Sequence, residues 1–178
     1  ARHGVASLRY DDRGFGKSIG GDVKHATTAD FARDATSGIE FLRTLKCFSK
    51  VGVLGHSEGG SIAFMLGAKG KVDFVISMAG IGVRGDTALT AQANRLLELS
   101  GQPMRLSTLQ YRVNAYMKKS PWLNFFMDYD PSGDISKTLC PVMAISGERD
   151  VQVISSLNLI GIKGHLTENP KNFVKEYP

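Results

Sequence analysis

The residues with the clearest chemical potential are Gly55-His56-Ser57-Glu58-Gly59. A G-x-S-x-G run is the pattern of a sharp strand-to-helix turn that lifts a serine hydroxyl clear of a sheet, with glycines where side chains would clash. The flanks supply the required context. Residues 50–54 read as a short, partly β-branched strand, and residues 61–68 as a helix of small residues. The Ser57 hydroxyl then sits at the positive end of that helix, and the backbone N–H of Glu58 can donate to the oxyanion of a tetrahedral intermediate. The plainer alternative is a Gly-rich turn without chemistry.

A serine hydroxyl is a weak nucleophile until a base takes its proton. In this arrangement an acid and then a histidine follow the serine in chain order. Asp150 lies just past a strand expected over 141–146, where an acid would orient the base and stabilise its cationic form. Glu148 is a neighbouring alternative, and a solvated turn aspartate is the plain reading. His165 is the only histidine after Asp150. It falls on a helical connection and reads better as a surface histidine. His56 points elsewhere from the turn, and His3 and His25 precede Ser57.

The elements that must position these residues alternate in type. Residues 4–10 have strand character and end in the Gly-rich loop 11–18. A helix is expected over 31–45, capped by Thr28 or Asp30, with Phe31, Ala35, Ile39 and Leu42 on one face. Residues 72–78 form an almost wholly apolar strand, which suits a parallel sheet. From 88 to about 127 the chain is helical and rich in Leu and aromatics, a helical insertion over the sheet. A helix over 155–163 and a last strand over 172–177 follow. The expected class is α/β, one domain over 1–178 with an insertion at about 86–130. Trp122, Phe125 and Phe126 could shape a pocket, but their helical spacing favours plain packing.

Composition sets the outer bounds. The 178 residues are 42% hydrophobic, 22% charged and 8% aromatic, enough apolar content for a sizeable core. No apolar run approaches the roughly 18 residues of a membrane span, and no signal-peptide core follows Ala1. The chain does not begin with Met, so processing or excision from a longer chain is an open reading. The net charge is +5 with dispersed charges, which gives no nucleic-acid footprint. Cys47 and Cys140 are expected to pack as small apolar residues. Arg84-Gly85-Asp86 reads as a turn. Asp128, Asp130 and Asp134 do not match a calcium loop. No metal or organic cofactor is implied, and the compartment is left open.

Taken together, RYDDRGFGKS (9–18), VGVLGHSEGG (51–60), SMAGIGVRGD (77–86) and CPVMAISGERDVQV (140–153) resemble the α/β-hydrolase superfamily. The likeness is greatest to bacterial EstD-type esterases and prolyl-oligopeptidase-like hydrolases. It implies that 11–18 is the loop after the fourth strand, with Asp12 and Arg13 bracing it. It also implies three strands ahead of 5–10, one of them pairing between 5–10 and 50–54. The second oxyanion donor would follow the third strand, and the triad histidine would lie just past Pro178. On that basis the chain is expected to be a weak enzyme by itself and a weak monomer, with open sheet edges as a route to homo-oligomers.

The expected activity is a serine carboxylesterase acting on a small-molecule ester through an acyl-enzyme on Ser57. Asp150 would be the acid and the Glu58 N–H an oxyanion donor. Two alternatives stay open: a peptidase or amidase on the same machinery, and a non-catalytic binding protein of the same fold.

Overall fold

Parallel strands need crossovers, and helices supply them here. The computed structural model describes residues 3–178. The strands β1 (Val53–His56), β2 (Val75–Met78), β3 (Val142–Gly147) and β4 (Phe173–Tyr177) form one parallel sheet in the order β1-β2-β3-β4. Their carboxyl ends therefore share one edge. Helix α1 (Thr28–Thr44) precedes β1, and α2 (Glu58–Ala68) links β1 to β2. Between β2 and β3 lie α3 (Gly85–Leu99), α4 (Thr108–Tyr116), α5 (Pro121–Asp128) and α6 (Ser132–Lys137); α7 (Ser155–His165) links β3 to β4.

The main core forms where α2 meets the sheet. Ala63, Phe64 and Leu66 are fully buried among Val75, Val142 and Ala144, with Ile39 of α1, Ile135 of α6 and Ile162 of α7 in the same cluster. Helix α2 is buried nearly all round, so its amphipathic signal is weak while its fit is demanding. Gly60 belongs to that fit: a Cβ there would lie 2.8 Å from the Cα of Gly80.

The first helix starts earlier than its expected span, and its cap is Thr27. The Asp30 carboxylate accepts from the Thr27 N–H and from the Thr27 hydroxyl, both at 2.9 Å. Arg13 reaches the same turn from the Gly-rich loop. Its guanidinium grips Asp34 through Nε (2.7 Å) and Nη2 (2.5 Å) and touches Asp30 at 3.4 Å. The bracing role expected of Arg13 is thus a two-point grip on α1.

The helices between β2 and β3 are joined by a charged knot. Arg112 of α4 donates to Asp86 of α3 at 2.8 Å and to Asp128 of α5 at 2.7 Å; Arg84 donates to Asp128 at 3.1 Å. The Arg84-Gly85-Asp86 tripeptide, expected as a turn, instead opens α3: Arg84 is its exposed N-cap, and Gly85 and Asp86 are buried, Asp86 only 6% exposed. Below the knot, Ala115, Leu123 and Met127 form a small apolar cluster.

Several expectations are corrected. Residues 4–10 join no strand. Leu8 and Tyr10 lie beside Gly38 of α1, yet they remain exposed, as does Val5. Strand character becomes a strand only beside a partner, and among the described residues none pairs with the outer edge of β1. Strand β1 begins at Val53 because Val51 N–H donates to the Asp73 carboxylate (2.7 Å) instead of to a ladder. Strand β2 starts at Val75, after Asp73 has been taken up by that bond and by Arg43. Cys140 packs against the core, but Cys47 is exposed. No helix among the described residues is long and apolar enough to cross a membrane.

Candidate functional site

Ser57 is the residue between β1 and α2. Its backbone stands at φ 54° and ψ −117°, a region that residues with a Cβ rarely enter and that costs on the order of 1–3 kcal/mol. Two backbone bonds hold it there. Ser57 N–H donates to the Met78 carbonyl of β2 (2.9 Å), and the Ser57 carbonyl accepts from Gly60 N–H (2.9 Å). Gly55 makes the turn sterically feasible, because a Cβ on it would lie 1.9 Å from the Gly59 carbonyl oxygen. The side chain of Ser57 is half-buried, and among the described residues its hydroxyl has no protein hydrogen-bond partner.

The first-turn N–H groups of α2, those of Glu58 and Gly59, have no partner within the helix. They and the helix dipole face the region in front of Ser57 with positive potential. Ser57 itself lines a cleft of about 750 Å³, whose walls include Tyr10, Phe31, Leu54, Ile62 and Trp122. His56 and Asp12 add polar groups to the lining. Partial burial, then Asp12 and Asp34, raise the Tyr10 phenol above its ordinary value, so it is neutral in this setting.

Asp150 follows β3 at the same sheet edge. Its N–H donates to the Gly147 carbonyl at 3.2 Å, which closes the turn. One carboxylate oxygen, Oδ1, accepts from Gln152 N–H (2.8 Å) and Val153 N–H (2.9 Å), and the carboxylate is half-buried. Oδ2 has no protein partner among the described residues. Strands β1 and β3 are two ladder spacings apart, about 10 Å. An imidazole bridging a hydroxyl and a carboxylate by two hydrogen bonds spans on the order of 8 Å. Glu148, the alternative acid, is exposed, and its N–H donates to the Tyr177 carbonyl.

The four histidines do not fill that bridge. His165 is the exposed last residue of α7. Two residues on, the Thr167 hydroxyl donates to the Thr138 carbonyl, just ahead of β3. His165 therefore lies toward the amino edge of the sheet, opposite Ser57. His25 is exposed and bonded to Asp22 at 2.6 Å, and His3 is exposed. His56 lines the cleft but precedes Ser57 on β1, where successive side chains point to opposite faces.

One feature of the site has no counterpart in the motif reading. Oε1 of Glu58 accepts from the Thr28 hydroxyl at 2.6 Å and from the Trp122 indole N–H at 2.7 Å. Trp122 also stacks on Phe126, centroids 5.5 Å apart. Plain packing therefore describes only part of what Trp122 does. The available signals were an acidic residue opening α2 and a lone tryptophan among the described insertion helices. Among the described residues no cluster of His, Cys, Asp and Glu is arranged to hold a metal.

Comparison with known proteins places this geometry. The family model described as "Serine aminopeptidase, S33" matches residues 1–131. No curated protein matches the chain in sequence. A lipase-esterase related protein from Clostridium acetobutylicum is 17% identical over 92% of this chain and 71% of its own, with a TM-score of 0.61. A bromoperoxidase from Bacillus anthracis is 18% identical over 94% of this chain and 71% of its own, TM-score 0.61. A monoacylglycerol lipase from Paleococcus ferrophilus is 14% identical over 86% and 66%, TM-score 0.56. At these identities the solved structures speak for the fold, a parallel sheet flanked by helices. The family match covers most of the chain, and the chain belongs to the serine aminopeptidase S33 family of the α/β hydrolases.

Proposed function

We propose that this chain is a serine hydrolase of carboxylic esters and that Ser57 is its nucleophile. The observation that carries the reading is the backbone of Ser57 at φ 54°, a strained turn at the amino end of a buried helix. Nothing in packing calls for a serine there, since its hydroxyl has no protein partner among the described residues. In the proposed reaction Ser57 Oγ attacks the ester carbonyl while a base takes its proton. The Glu58 N–H donates to the oxyanion, the alcohol leaves with the proton, and water releases the acyl group by the same route. Asp150 is the acid that orients the base, through Oδ2. The base acts above β2, between Ser57 and Asp150, a place that none of the four histidines of this chain occupies, so imidazole from solution takes that part in the tests below. The helical stretch at about 86–130 acts as a cap over the cleft, with Trp122 as its contact to the site.

Ester chemistry is favoured by the apolar walls of the cleft and by the esterase and lipase names among the structural neighbours. A second reading, peptide or amide hydrolysis, is favoured by the description of the matching family as a serine aminopeptidase. The test is steady-state hydrolysis of p-nitrophenyl butyrate and leucine p-nitroanilide by wild type and Ser57→Ala, with imidazole added as a mobile base and the protein-free imidazole rate subtracted. Ser57-dependent turnover of the ester above the anilide supports the proposal. The reverse preference supports the peptidase. A folded protein with no Ser57-dependent turnover of either points to a binding protein of this fold.

A further inference from the structure

The Glu58 side chain ties together three parts of the molecule that are distant in sequence. Its Oε1 receives Thr28 from the amino end of α1 and Trp122 from the first turn of α5, while its backbone opens α2 directly after Ser57. Both bonds are short, at 2.6 and 2.7 Å. Thr28 is fully buried, so its hydroxyl depends on this carboxylate. Trp122 is held at two points, by its N–H on Glu58 and by its ring on Phe126. A ring so fixed is a preorganised wall, and it lines the same cleft as Ser57.

Resting on the reading of Ser57 as nucleophile, we infer that Trp122 is a specificity-determining residue that selects substrates carrying a flat apolar group beside the scissile ester. Glu58 is the positioning residue that locks the ring in place. The neighbouring walls agree with that class. Phe31, Leu54 and Ile62 offer apolar surface and no cation for an acidic group. The Glu58 carboxylate also repels anionic substrate groups from the immediate surroundings of Ser57. The same residue thus serves by its backbone N–H at the reacting carbonyl and by its side chain at the recognition wall.

The test titrates the chain by calorimetry with phenylboronic acid and with methylboronic acid, which add reversibly to a nucleophilic serine hydroxyl. Wild type is expected to prefer the phenyl compound by about tenfold. Glu58→Ala is expected to abolish most of that preference. Glu58→Gln, whose amide oxygen still accepts, is expected to restore it. Glu58→Ala leaves the Thr28 hydroxyl buried without a partner, so Trp122→Phe serves as a second variant that keeps an aromatic ring, smaller and without the N–H donor. It is expected to lose part of the preference. Trp122 is the only tryptophan, so its emission reports the clasp directly. Acrylamide is expected to quench it more strongly in Glu58→Ala than in wild type or Glu58→Gln. A wild-type preference retained in both Glu58→Ala and Trp122→Phe overturns the assignment. So does a protein that reacts with a fluorophosphonate at Ser57 yet shows no phenyl preference, and that result leaves the nucleophile reading standing. A folded protein that takes neither reagent, even with imidazole present, overturns the nucleophile reading and this inference with it.

Discussion

Replacing Ser57 by glycine should make the protein more stable than replacing it by alanine. At an ordinary position the order is the reverse, because glycine loses more chain entropy on folding, by roughly 0.5–1 kcal/mol relative to alanine. At φ 54° and ψ −117° a Cβ costs on the order of 1–3 kcal/mol, which glycine does not incur. The difference favours glycine by roughly 0–2.5 kcal/mol, about 1 kcal/mol near the middle of that range. Neither variant loses a side-chain hydrogen bond, since the Ser57 hydroxyl has no protein partner among the described residues, and both keep the backbone bonds to Met78 and Gly60. Urea unfolding followed by circular dichroism measures the two midpoints at equal m. In a thermal scan, a difference of that size amounts to about 2–4 °C for a chain of this length. A glycine variant less stable than the alanine variant would refute the claim that the backbone at Ser57 is strained.

Three further outcomes follow from the fold. The Asp30 carboxylate is held below the ordinary carboxylate range, first by the Thr27 N–H and then by the Thr27 hydroxyl. Its stabilisation is complete above the unfolded value and lost as pH falls through the folded one, so Asp30→Asn should flatten the acid limb of stability against pH in urea titrations. Phe64→Ala should cost about 3–5 kcal/mol, because the ring is fully buried where α2 meets the sheet; a loss under 1 kcal/mol would contradict the assigned core. The outer edges of β1 and β4 are unpaired among the described residues, so the chain should self-associate in sedimentation velocity. Leu54→Lys, at an exposed β1 position, should disperse it.

Much of this architecture is visible in the sequence because the relevant signals are local. Residues 142–147 and 173–177 carry strand patterns that meet real partners, and α7 starts where its pattern starts. The turn at Ser57 is legible from five residues because the clash at Gly55 is with Gly59, four positions away. Non-local competition accounts for the misses. Residues 4–10 have the composition of a strand and, among the described residues, no neighbour to pair with. Val51 belongs to the apolar run before the turn, yet its N–H is taken by Asp73 rather than by a strand. The Glu58–Trp122 bond joins positions 64 residues apart, and no spacing rule foretells such a contact. Asp150 stands at the sheet edge expected of it because a strand end and a tight turn set it there, whereas the pairing of Arg112 with Asp86 and Asp128 depends on how three helices settle against one another.

The most direct test of the account is the mass of the intact folded protein after exposure to a fluorophosphonate, with Ser57→Ala in parallel and with imidazole added to supply a mobile base. The account requires a single covalent addition that maps to Ser57, faster with imidazole and absent from Ser57→Ala. Equal labelling of the two proteins, or no labelling of folded wild type even with imidazole, would contradict it.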